Sequence, residues 1–180
     1  MLKQLKEFTI PFVGLKIGKH NFEYEIKQAF FEHFEYEEFN DVNVKVDVVL
    51  EKKTTLLELH FKISGFVNVN CDLTNEPYNQ AIKNDFNLVV NFGDEYNDEN
   101  IDILIIPHGT YEINIQQYIY ELIVLAVPIK RLHPGIEDGT LGSEILEKLE
   151  ELSPGLKKNK EKKEDIDPRW NTLKKLLTDK

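Results

Sequence analysis

Cysteine occurs once in the 180 residues, at Cys71, which excludes an internal disulfide framework and leaves a thiolate metal cage without its other members. That usage fits a reducing compartment. Long hydrophobic runs are also missing. The longest, residues 122–128, falls far short of the roughly 20 residues a membrane crossing needs, and residues 1–6 hold no apolar signal core. The expectation is a cytoplasmic protein with no membrane association. Neither a glycine-rich phosphate loop nor a nucleophile elbow occurs, and Gly139 and Gly142 only mark a turn. The histidines His20, His33, His60, His108 and His133 are scattered, with no helical pair and no cysteine–histidine cluster, so no metal site is expected. The acidic loop 94–100 lacks the ordered spacing and the glycine of an EF-hand, and reads as a solvated loop. Carboxylates are so abundant that no general acid and base can be nominated. The chain reads as a non-enzyme that needs no cofactor.

Lysine and arginine are scarce over most of the length. Residues 1–129 carry 10 of them against 21 Asp and Glu, whereas residues 130–180 carry 12 against 11, within a total net charge of −10. Nucleic-acid affinity rests largely on neutralising phosphates, so such a body suits a basic protein better than a bare duplex.

What is present is a packed globule: 41% of residues are hydrophobic, with 11 Phe and 7 Tyr. Val42, Val44, Val46 and Val48 alternate with polar neighbours, as do Leu57, Leu59, Phe61 and Ile63, which predicts two half-buried strands joined across the polar segment 51–54. Gly65 breaks the pattern. Val67, Val69, Cys71 and Leu73 then alternate again and place the cysteine on the apolar face, a core position. A turn at 74–77 precedes a strand through Phe86, Leu88, Val90 and Phe92, and residues 101–106 form a buried apolar run. Ile26, Phe30 and Phe34 recur at helical spacing. Ile115, Tyr118, Ile119, Leu122, Ile123 and Ala126 mark a second helix, with Asn114 as cap, Gln117 completing a capping box and Pro128 limiting its end.

The composition changes beyond Pro134-Gly135. Leu146, Leu149 and Leu152 suggest a short amphipathic helix, and the five lysines from Lys157 to Lys163 with Glu161, Glu164 and Asp165 have nothing to bury. It reads either as a solvated linker or as an RNA contact. Pro168 suits a first helical position, and Trp170, Leu173 and Leu177 then share a face flanked by Arg169 and Lys174. That face either closes onto the body or docks to a partner. The whole is expected to be α+β: an acidic body, residues 1–135, on a mostly antiparallel sheet, a meander that is open or barrel-like, with flanking helices. A mobile helical tail, 136–180, follows, with its charged linker at 156–166.

At Cys71-Asp72-Leu73-Thr74-Asn75-Glu76-Pro77-Tyr78 the chain resembles the YceD family, whose members carry a Cys-x-Arg-Cys-Leu-x-Pro-aromatic element at the end of a strand. Cys71, Pro77 and Tyr78 match it. Pro128 through His133-Pro134 is similar to the family's Leu-Pro…Pro-x-His segment, and Asp167-Pro168-Arg169-Trp170 with Leu173-Lys174-Lys175-Leu176 to its terminal motif. Leu73 stands where the family has arginine and Thr74 where it has a second cysteine, so zinc binding is not carried over. The resemblance implies a role in accumulation or maturation of large-subunit ribosomal RNA. The implied partner is a basic large-subunit ribosomal protein or a precursor particle, with any direct rRNA contact falling to the tail lysines.

Overall fold

The computed structural model describes residues 5–137, together with Lys148 and Glu151. The chain divides into two compact units, Met1–Leu141 and Gly142–Lys180, and the account below concerns the first. A turn of 3-10 helix at Lys6–Phe8 leads into β1 (Thr9–Pro11) and β2 (Gly18–Lys27). Then come α1 (Gln28–His33), β3 (Asp41–Lys52), β4 (Leu56–Asn70), β5 (Pro77–Gly93), β6 (Ile103–Pro107), β7 (Glu112–Asn114), α2 (Gln116–Ala126) and α3 (Pro134–Glu137).

Strict alternation makes β3 and β4. Their inward sets face each other in register, Val46 against Ile63, Val48 against Phe61 and Leu50 against Leu59, and all six are buried. Full burial of one such side chain stabilises by about 1.5–3 kcal/mol, so a one-residue slip that turned the set to water is strongly disfavoured. The hairpin between them closes where Lys53 N–H donates to Leu56 O at 3.0 Å.

Five strands form one open sheet in the order β2-β3-β4-β5-β6, and β1 pairs with β7 in a separate ribbon. From β2 to β5 the sheet is an antiparallel meander, while β6 runs parallel to β5. The barrel-like alternative is therefore corrected: among the described residues the sheet does not close. Asn97, in the acidic loop, exchanges two backbone hydrogen bonds with Ile105 (2.8 and 3.0 Å) and so covers the outer edge of β6.

Three local expectations also change. Gly65 does not interrupt β4; the inward phase runs through it from Ile63 to Val67, and glycine is required because the backbone of β3 passes too close for any Cβ. Ile26 belongs to β2, where Phe22, Tyr24 and Ile26 alternate inward, so the first helix keeps only Phe30 of the three spaced residues and Phe34 caps its end. The turn at 74–77 gives way directly to β5, which begins at Pro77 rather than near Phe86.

The stripe on α2 is as the spacing predicts, with Ile115, Ile119, Leu122 and Ile123 buried. Its start differs, because the N-cap residue is Ile115 and Gln117 reaches forward to Glu121 (2.7 Å) instead of closing a capping box. Asn114 Oδ1 accepts from Gln116 N–H at 3.1 Å. The start of α2 is also tied to the beginning of the chain: Leu5 N–H donates to Gln116 Oε1 at 2.7 Å, Ile115 N–H to Phe8 O at 2.9 Å, and Asn114 Nδ2 to Thr9 Oγ1 at 2.9 Å. No helix among the described residues is long and apolar enough to cross a membrane.

Candidate functional site

The turn between β4 and β5 and the irregular segment after α2 form one corner. Asp72 N–H donates to Arg131 O (2.8 Å) and Arg131 N–H to Asp72 Oδ2 (2.7 Å), so residues 71–72 are zipped to residues 131–133. The Arg131 guanidinium also meets Asp72 Oδ1 and Glu38 Oε2, each at 3.3 Å. Cys71 is 2% exposed, and its Sγ accepts from His133 N–H at 3.4 Å. The His133 ring stands edge-on to Tyr78 with centroids 5.5 Å apart, and its Nδ1 accepts from Gly135 N–H at 3.0 Å.

The sulfur environment is unusual for a buried thiol. Burial is the largest influence and raises the pKa, but hydrogen bonds from the Thr74 hydroxyl and from the N–H groups of His133, Thr74 and Leu73 together hold it below the ordinary 9.0. The buried Thr74 hydroxyl accepts in turn from Glu76 N–H at 3.4 Å. Of the motif residues, the structure brings Cys71, Tyr78 and His133 together. Pro77 opens β5, and Pro128 lies between α2 and Arg131.

A second feature is a groove of about 1310 Å³ lined, Thr9 aside, by residues between Asn84 and Leu125. Phe86 and Tyr118 stack along it with centroids 6.3 Å apart and planes at 18°. Tyr118 is pushed up to about 12 by burial first, then by Tyr96, Asp98 and Glu121. The sequence carries the signal for this region, although no motif search finds it: between Lys83 and Lys130 there is no lysine or arginine, and there are eight carboxylates. The outward face of the sheet is different. There Lys45 sits 3.2 Å from Glu23 and 3.1 Å from Asp47, and Lys19 lies 3.7 Å from Glu51, so the charges are mixed and paired. Of the eight carboxylates in that stretch, Asp85, Asp98, Glu112 and Glu121 line the groove.

Residues 59–177, well over half of the chain, match the family described as large ribosomal RNA subunit accumulation protein YceD. The chain belongs to the YceD family. No curated protein and no solved structure shows a significant match to it. The YceD match opens within β4 and takes in both the Cys71 corner and the groove-lining stretch. Where the family pattern has its second cysteine, the Thr74 hydroxyl donates to Cys71, so a hydroxyl and a thiol stand in place of two thiols. Among the described residues no three His, Cys, Asp or Glu side chains are placed to hold a metal ion. The tail candidates Arg169, Trp170, Leu173, Lys174 and Leu177, the leucines 146, 149 and 152 and the linker 156–166 lie outside the described residues.

Proposed function

We propose that the protein is a non-enzymatic, cytoplasmic factor for accumulation of large-subunit ribosomal RNA that works by binding a basic large-subunit ribosomal protein or a precursor particle. Membership of the YceD family carries the first half of this reading. The charge distribution supports the second: a stretch with eight carboxylates and no lysine or arginine attracts cations and repels phosphates. The second reading is a direct rRNA-binding module, whose contact would fall to the five lysines from Lys157 to Lys163.

The test is the ratio of large- to small-subunit rRNA, with a sucrose-gradient profile, in cells lacking the protein and in cells keeping only residues 1–155. A deficit of large subunits in the deletion is the expected result, and a normal ratio and profile refutes the assignment. If the tail contacts rRNA, its removal flattens the salt dependence of RNA binding. An unchanged slope removes it from that role.

A further inference from the structure

The groove beside α2 combines three properties that select one kind of occupant. Its volume of about 1310 Å³ exceeds the roughly 300–1,000 Å³ of small-ligand clefts, which favours a polypeptide segment over a metabolite. Four large apolar side chains on its lining face water, Tyr96 at 59%, Ile101 at 81%, Tyr111 at 62% and Leu125 at 79% exposed, an arrangement that marks interaction surfaces. Its carboxylates are not neutralised. Asp98 accepts only from the Tyr96 hydroxyl (3.2 Å) and Glu121 from the Gln117 amide (2.7 Å), and among the described residues no ion pair engages Asp98, Glu112 or Glu121.

The geometry points to a binding site for a lysine- and arginine-rich polypeptide segment, whose aliphatic side chains rest on Tyr111, Tyr118 and Leu125 while its cations face Asp98, Glu112 and Glu121. This rests on the reading that the body holds a basic protein, and it says where. Tyrosine faces can stack on bases, but an RNA strand would bring phosphates among unpaired carboxylates, a like-charge juxtaposition. A basic segment meets the same groups with opposite sign and covers the exposed apolar rim as well.

The experiment uses the full chain and a fluorescent synthetic peptide of alternating lysine and leucine, followed by anisotropy at physiological salt, where exposed charges more than about 8 Å apart are screened. A glutamate–leucine peptide of the same length and a single-stranded RNA oligonucleotide serve as comparison ligands. The lysine–leucine peptide is expected to bind, the other two not. Glu121→Lys and Leu125→Ser, both at exposed positions, are each expected to weaken binding about tenfold with unchanged melting, while Glu25→Lys on the outward sheet face changes it less than about twofold. Equal weakening by Glu121→Lys and Glu25→Lys, or no effect of Leu125→Ser, overturns the site. So does RNA binding that the groove variants abolish, or a dimer of the chain that Leu125→Ser dissociates. The rRNA ratio in the deletion strain separates this inference from its premise: a normal ratio with groove-dependent peptide binding overturns only the assembly role, and a large-subunit deficit with groove-independent binding overturns only the groove.

Discussion

Replacing Gly65 by alanine puts a methyl group into the backbone of the neighbouring strand. The added Cβ falls on Asn43 O and 2.7 Å from the Cα of Val44, and Gly65 holds a φ of +157° that side-chain-bearing residues rarely adopt. Both neighbours are main-chain atoms of a central strand, so relief requires moving β3 rather than rotating a side chain. Overpacking of this kind costs about 1–3 kcal/mol, and the unfavourable backbone conformation about as much again, 1–3 kcal/mol. The expected total of roughly 2–6 kcal/mol lowers Tm by about 4–24 °C in a chain of this size. Thermal and urea unfolding followed by circular dichroism read it directly. Gly14→Ala is the matched control, since its Cβ meets nothing within 4 Å, and it should be neutral or stabilising by up to about 1 kcal/mol. Gly65→Ala within about 0.5 kcal/mol of the unmodified protein would show that β3 and β4 part freely at this point, and would refute the close-approach argument.

Two further predictions concern pH. Hydrogen bonds hold the folded-state pKa of Cys71 below 9.0, so just below that value the unfolded chain binds the thiol proton more tightly. The resulting stability is full above 9.0 and is lost as pH falls through the folded value. The stability difference between the unmodified protein and Cys71→Ser should therefore grow as pH rises toward 9.0 in urea titrations, and a flat difference would remove the thiolate from the account. Burial raises Tyr36 and Tyr118 to about 12 from 10.0. The contribution of these two phenols should be level below about pH 10, where both states keep the phenol proton, and fall between 10 and 12 as the unfolded chain ionises first. Tyr118→Phe should remove part of that fall, as followed by phenolate absorbance alongside unfolding.

The middle strands were legible because their signal is local and redundant. Four valines in β3 and four apolar residues in β4 repeat at period two with polar neighbours, and no other period fits them. Ile26 shows the opposite case, since it closes a period-two series with Phe22 and Tyr24 and opens a period-four series with Phe30 and Phe34, and only tertiary pairing with Val44 decides between them. The first half of β5 is silent because Gln80 and Asn84 occupy inward positions there, so both faces read as polar. β1 and β7 are three residues each and pair Thr9 with Asn114, a contact no local pattern announces. The Cys71 corner was readable through its motif. The groove was readable only as an absence, the missing cations between Lys83 and Lys130, which a search for what residues are present passes over.

The ribbon of β1 and β7 also sets the order in which the molecule can assemble. Residues 5–9 leave the ribosome first among the described residues, yet their partners, Asn114 to Gln116, follow more than a hundred positions later. Closing so long a loop is entropically expensive and slow compared with the hairpins of β2 to β5. The helix that walls the groove is thus anchored last, by the oldest part of the chain. A groove held in this way exists only on a finished body, and a peptide meeting the chain during its synthesis would find the sheet formed and the groove not yet there.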